Sequence, residues 1–267
     1  MIPKIIHYCW FGNGEQSDKI KFCINTWKKI LPDYEIKEWS DKDLHLFTDN
    51  KYVKEAYNAK KWAFVSDVFR LYALYTYGGI YFDTDVEVRK SFDNFLNHDF
   101  FIGAEKLKNS YNLGTAVIGA QKNNRIIKNM LDIYINKSFI KSDGSFDMTA
   151  NPILLNEIMK QYGVSDDIYK NLDTCEFYDN SVIYPYTYFC TDNSFCYSIH
   201  HFEGSWIPDY ILKKKITIKI GRNYSLVFYK YKKLKNNDFV YPITIKKKIF
   251  DIDFNKKKFL ITLESNI

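Results

Sequence analysis

Apolar and polar positions along the chain fall into runs that switch between a strand period and a helix period. Lys4-Ile5-Ile6-His7-Tyr8-Cys9-Trp10-Phe11 is a nearly continuous apolar run that reads as a buried strand. Gly12-Asn13-Gly14 stops it with a turn, so Trp10 stands at the strand's carboxyl end. Ile20, Cys23, Ile24, Trp27, Ile30 and Leu31 recur at helical spacing over residues 18–31, and Pro32 ends that helix. Tyr34 to Trp39 reads as a second strand, and strand, helix, strand predicts a parallel pair. Trp62 to Tyr77 is long, apolar and free of Gly and Pro, and Gly78-Gly79 closes it as a helix followed by a tight turn. Ile80 to Val86 then reads as a strand whose alternation sets Tyr81, Asp83 and Asp85 on one face.

Further along, Phe100 to Ala104 and Ala116 to Ala120 read as strands and Asn123 to Ile135 as a helix. Thr149-Ala150-Asn151-Pro152 looks like a capped start with proline in the first turn, leading a helix to Tyr162. Residues 105–113 and 137–149 read as loops that can close over a substrate. Val182 to Tyr188 and Tyr197 to His201 are strand-like. Ile216, Ile218 and Ile220 alternate with Thr217 and Lys219 as in a half-buried strand. No internal repeat is present.

Composition narrows the class. With 267 residues, 46% of them hydrophobic, 18% aromatic, and only 11 Gly and 6 Pro, the chain has material for a large core and is neither disordered nor collagen-like. No run of 18 apolar residues occurs, and Met1 to Gly14 lacks the charged and apolar regions of a signal peptide, which places the protein in the cytoplasm. Five widely spaced cysteines without a CxxC pair point to reduced thiols rather than a disulfide framework. The net charge of +6 is uneven. Residues 210–267 hold fifteen Lys and Arg against four acidic residues, a balance of +11, whereas residues 1–209 hold 23 against 28, a balance of −5. The expected organisation is therefore a domain over 1–209 and a basic, aromatic-rich extension over 210–267. That extension suits an anionic membrane surface, a charged polymer or nucleic acid, or forms a lysine-rich face protecting edge strands.

Two polar clusters stand out against the apolar background. On the 62–77 helix, Ser66 and Arg70 lie at i,i+4 and Asp67 and Arg70 at i,i+3, so the three can converge. A carboxylate held by an arginine stays ionised and can accept hydrogen bonds from vicinal hydroxyls, although an ion pair within a packing surface reads equally well. Asp-x-Asp occurs at Asp41/Asp43, Asp83/Asp85 and Asp251/Asp253, and only the second ends an apolar strand after Gly-Gly, where ligands gather at the carboxyl edge of an α/β sheet. Two such carboxylates can hold Mg²⁺ or Mn²⁺. Trp10 can stack on a planar base or sit in the core. His200 and His201 point to opposite sides, so at most one of them reaches the cleft. Cys190, Cys196 and the two histidines do not match common zinc spacings. A phosphohydrolase built on Asp83 and Asp85 and a non-catalytic, membrane- or anion-binding module are the alternatives, the former weakened by the eighty residues that precede its strand.

Four ordered segments carry a family resemblance: Ile2 to Gly12, Ser66-Asp67-x-x-Arg70, Tyr77 to Asp85, and His200-His201-Phe202-Glu203-Gly204-Ser205-Trp206. Together they closely resemble glycosyltransferase family 32, which includes bacterial capsular polysaccharide transferases and yeast initiating mannosyltransferases and is related to clostridial glucosylating toxins. The resemblance spans roughly residues 2 to 206, and Phe82 stands where leucine is frequent. It implies a GT-A fold, an open mixed α/β sheet flanked by helices, and a retaining transfer from a nucleotide sugar, a UDP-sugar in preference to a GDP-sugar. The implied acceptor is a saccharide or a lipid-linked saccharide of a surface polysaccharide, and the implied cofactor is Mn²⁺ or Mg²⁺. Trp10 resembles the base-stacking tryptophan with His7 beside it, Ser66, Asp67 and Arg70 the ribose and sugar clamp, and Tyr81 a donor-site tyrosine. Asp83 is expected at ribose or metal, Asp85 as the direct metal ligand and Asn151 near the transferred sugar. His200, Ser205 and Trp206 are expected to close over the diphosphate. No nucleic-acid partner is implied, and the basic extension fits peripheral contact with the inner face of the cell membrane.

Overall fold

The computed structural model describes residues 1–107, 110–165 and 173–203, and the backbone of strands within 215–220, 224–230, 248–254 and 257–265. The chain divides into two compact units, Met1–Glu203 and Gly204–Ile267. In the second unit, Lys215–Ile220, Tyr224–Lys230, Lys248–Phe254 and Lys257–Ser265 form a four-stranded antiparallel sheet, ordered first, second, fourth, third.

The first unit opens as its periodicity predicts. β1 (Ile5–Trp10) is followed by α1 (Asp18–Ile30), which buries Ile20, Cys23, Ile24 and Trp27 along one face. Ser17 accepts the Ile20 amide at its start, Asp18 lies in its first turn and Lys28 and Lys29 in its last, all favourable to the helix dipole. β2 (Glu35–Ser40) then pairs parallel with β1. A helix not anticipated from the pattern, α2 (Lys51–Asn58), starts where the Asn50 side chain accepts the Val53 amide. α3 (Trp62–Tyr77) buries most of the stretch from Phe64 to Leu74, including Asp67 and Arg70, and ends at Gly78, whose φ of 69° a side chain would resist. Gly79 is as strict: its φ is 113°, and a Cβ there would meet the Ile5 carbonyl at 2.5 Å.

These glycines let β3 (Gly79–Phe82) lie directly against β1, in parallel. Strand β3 stops at Phe82, two residues before the alternation does. The chain turns at Asp83, with the Val86 amide donating to the Asp83 carbonyl, and Val86–Val88 forms β4 in a separate two-stranded ladder with β9 (Ser198–His200). The two aspartates therefore meet across a turn and not along one face of a strand. The 105–113 loop expectation is also corrected, because β5 (Phe100–Leu107) and β6 (Ser110–Ala120) continue as a hairpin with Glu105 opposite Asn112. Within that hairpin the ladder breaks: Ile102 pairs with Ile118 and Ala104 with Leu113, so residues 114–117 leave the β5 register. Helices α4 (Arg125–Ile133), capped by Asn124, and α5 (Asn151–Gln161) follow. β7 (Cys175–Tyr178) and β8 (Ser181–Tyr184) complete the sheet, and Pro185 turns the expected strand to 188 into the short α6 (Tyr186–Phe189).

The main sheet has the order β2-β1-β3-β6-β5-β8-β7, mixed in direction, as the GT-A expectation requires. One core joins α2 to α5 to the sheet through Val65, Phe69, Leu74 and Ile118. The other packs α1 against Ile6, Ile80, Phe82, Phe92 and Phe101. Burial on both faces explains why β1 and β3 read as unbroken apolar runs.

Candidate active site

The Gly-Gly turn and the end of β3 bring the first cluster together. Arg70, on the buried face of α3, holds Asp67 at 3.0 Å and Asp83 at 3.3 Å through one terminal nitrogen. Its other terminal nitrogen donates to the Thr115 carbonyl at 2.7 Å, and its guanidinium lies 4.5 Å from the centre of the Tyr81 ring. The Tyr81 hydroxyl donates to Asp83 at 3.0 Å. Burial raises the Asp67 carboxyl to about 6 against the pull of Arg70. It also raises Asp83, where Arg70 opposes the burial and Asp85 adds to it. Asn151 is fully buried between two partners: its amide donates to the Asp67 carbonyl at 3.0 Å, and the Tyr134 hydroxyl donates to its oxygen at 2.6 Å. Ser66 turns away, donating to the Trp62 carbonyl of its own helix at 3.0 Å.

The second cluster is assembled by the β4–β9 ladder. Val86 pairs with His200 in that ladder, which sets His200 beside Asp85, and ligand atoms of Asp83, Asp85 and His200 all lie within 4.8 Å of one another. The Glu203 amide donates to Asp85 at 2.8 Å, and His200 Nε2 stands 3.5 Å from the other Asp85 oxygen. Burial works to raise the Asp85 carboxyl, but the His200 hydrogen bond and charge, with the Glu203 amide, hold it below the usual carboxylate range. Burial likewise works to lower the His200 imidazolium, yet Glu105 and Asp85 keep it well above its ordinary value. His201 faces the other way and pairs with Glu87 at 2.9 Å. Two carboxylates and one imidazole form a hard, mostly oxygen donor set suited to a divalent cation such as Mn²⁺ or Mg²⁺.

Two further expected residues, His7 and Trp10, lie on β1. Trp10 ends β1 half-buried, its indole N–H donating to the Gly14 carbonyl at 2.7 Å. His7 is fully buried, with Nε2 donating to the Gly78 carbonyl at 2.8 Å and Nδ1 accepting from Trp39 at 3.3 Å. Burial lowers it to about 4, so it is neutral. Among the described residues neither Trp10 nor His7 hydrogen-bonds to either cluster. Ser205 and Trp206 lie outside the described residues. Of the other Asp-x-Asp copies, Asp41 and Asp43 brace the backbone: Asp41 accepts from the Gly12 amide and the Tyr57 hydroxyl, and Asp43 from the Ser40 amide. Glu105, Thr115 and Tyr134 were not anticipated. Their only sequence signal is Glu105, an acid ending the apolar run from Phe100 to Ala104.

The model of the glycosyltransferase sugar-binding region containing the DXD motif matches residues 17–102. An uncharacterized glycosyltransferase of Acanthamoeba polyphaga mimivirus is 31% identical over 224 residues, which cover 78% of this chain and 85% of the viral protein. Inositol phosphoceramide mannosyltransferase 3 of Schizosaccharomyces pombe is 34% identical over 111 residues, 38% of this chain and 29% of the yeast protein. Among solved structures, the PaToxG glycosyltransferase aligns over 60% of this chain and 69% of its own, at 24% identity and a TM-score of 0.45.

Proposed function

Because the chain belongs to the glycosyltransferases whose sugar-binding region contains a DXD motif, we propose a retaining, metal-dependent transferase of the family 32 type. Its donor is a nucleotide sugar, a UDP-sugar before a GDP-sugar, and its acceptor a saccharide or lipid-linked saccharide of a surface polysaccharide. The observation that carries this reading is the convergence of Asp83, Asp85 and His200 beside the Arg70-held carboxylates. A phosphohydrolase needs a free nucleophilic carboxylate, whereas Asp83 Oδ1 already takes Arg70 and the Tyr81 hydroxyl.

Asp83, Asp85 and His200 would hold Mn²⁺ or Mg²⁺, which when bound supplies positive charge against the negative charge that grows on a departing diphosphate. Arg70 fixes Asp67 so that one carboxylate oxygen stays available to hydroxyls of the donor. Asn151, locked by Tyr134, keeps the Asp67 backbone in place beneath that clamp. Trp10 offers its half-buried ring to the base. In the transfer, the bond from the anomeric carbon to the diphosphate oxygen breaks and one to the acceptor oxygen forms on the same face. The acceptor proton passes to the leaving phosphate oxygen on that face. Residues 1–209 act as the transferase and 210–267 as a basic extension that rests on an anionic inner membrane leaflet. No helix among the described residues is long and apolar enough to cross a membrane.

Melting of the full-length protein with UDP-, GDP- and other nucleotide sugars, each with and without Mn²⁺, tests this reading. A donor that binds only the native state raises the melting temperature by mass action. A shift for one donor class that requires Mn²⁺ supports the transfer reading, and no shift with any donor, in a protein that melts cooperatively, overturns it.

A further inference from the structure

An imidazole that binds a cation must present a lone pair from one nitrogen, and whatever holds the other nitrogen sets the tautomer and the ring's aim. In this molecule that partner is Glu105, whose carboxylate accepts from His200 Nδ1 at 3.0 Å while Nε2 faces Asp85. The Glu105 side chain is 15% exposed, and the Phe202 ring lies 3.9 Å from the imidazole, so the ring is fixed at an edge and on a face. Glu105 fits there because of Gly114. A Cβ at Gly114 would sit 2.5 Å from Glu105 Cδ and Oε1, and Gly114 opens the stretch in which β6 leaves the β5 register. Its backbone is not in the left-handed region, so the missing side chain answers to space and not to φ.

On the reading that Asp83, Asp85 and His200 hold a divalent cation, we propose that Glu105, seated in the room left by Gly114, is a positioning residue that aims His200 Nε2 at the cation. Glu105 touches neither aspartate and contributes no ligand atom; it acts through the histidine.

The test is titration of metal-free, full-length protein with Mn²⁺ alone, followed by calorimetry or by the spin-resonance signal of free Mn²⁺. Glu105→Leu keeps bulk and removes the acceptor, and it should weaken Mn²⁺ binding about 10- to 100-fold. Glu105→Gln keeps a neutral acceptor and should lose less, and Gly114→Ala should weaken binding without altering any charge. Melting of the metal-free variants near that of the parent, with turnover restored by raising Mn²⁺, separates positioning from damage to the fold. If Glu105→Leu folds poorly, the nearly isosteric Glu105→Gln and Gly114→Ala carry the test. Mn²⁺ affinities within twofold of the parent in the folded variants overturn the proposal. A parent protein that binds no Mn²⁺ overturns the metal-site reading itself, and the proposal with it.

Discussion

On the Arg70 flank of the Asp83-Thr84-Asp85 turn, a single buried guanidinium on α3 ties together Asp67, Asp83 and the Thr115 carbonyl. On the His200 flank, an imidazole delivered by β9 stands between Asp85 and Glu105, 95 residues away in sequence from the latter. The first arrangement surrounds a cation with two carboxylates and one carbonyl oxygen. The second sets two acids, Asp85 and Glu105, around one histidine and carries an excess of negative charge even when that histidine is protonated. Neighbouring carboxylates separated by one residue thus have different partners: Asp83 takes Arg70 and the Tyr81 hydroxyl, and Asp85 takes His200 and the Glu203 amide.

Removing the guanidinium should expose this contrast most strongly. Arg70→Leu strands Asp67 as a buried, unpaired acid and takes the cation from Asp83, and it should cost about 3–5 kcal/mol in urea unfolding. A cost below about 1 kcal/mol would mean the two flanks do not differ in their dependence on pairing. Asp85→Asn should do the reverse. It should slow turnover on the order of 10²- to 10³-fold, about 3–4 kcal/mol of barrier, and abolish Mn²⁺-dependent donor binding in a protein that still folds. Normal turnover by that variant would sink the metal role.

The two buried histidines sharpen the comparison through pH. His7 is lowered to about 4, so the unfolded chain binds its proton first. Its contribution is full above pH 6.5 and is lost as pH falls towards 4, about 3 kcal/mol in all. His200 is raised, so in metal-free protein its contribution is full below its unfolded pKa and is lost as pH rises through its folded one. Urea unfolding across pH should show His7→Gln, whose amide can donate and accept in the ring's place, flattening the acid limb alone. An unchanged acid limb would remove His7 from its cause. The smallest effect is expected at Tyr134→Phe, which leaves the Asn151 oxygen without its donor and should cost about 1–2 kcal/mol in unfolding experiments.

What could be read from the chain divides along the same line. α3, the Gly78-Gly79 turn and the Asp67–Arg70 pair were legible, because helix period, glycine punctuation and i,i+3 spacing are local properties. The choice of Asp83/Asp85 among three copies followed from its place at the end of an apolar strand. The break after Phe82 was not legible: Val86 keeps the alternation going, and only its distant partner His200 shows that it belongs to another ladder. Glu105 acquires meaning through a histidine far along the chain, and the 105–113 segment read as a loop because Asn112 and Gly114 are turn formers that here serve a hairpin. α2 escaped notice because its polar surface outweighs Tyr52, Val53 and Ala56, the three residues it buries.

The stretch of β6 that leaves its ladder serves both flanks at once. Gly114 clears space for Glu105, Thr115 gives its carbonyl to Arg70, and the Ala116 carbonyl accepts the Asp83 amide. Three consecutive residues therefore contact both flanks, and inserting or deleting a residue between Gly114 and Ala116 should disturb the surroundings of Glu105, Arg70 and Asp83 together.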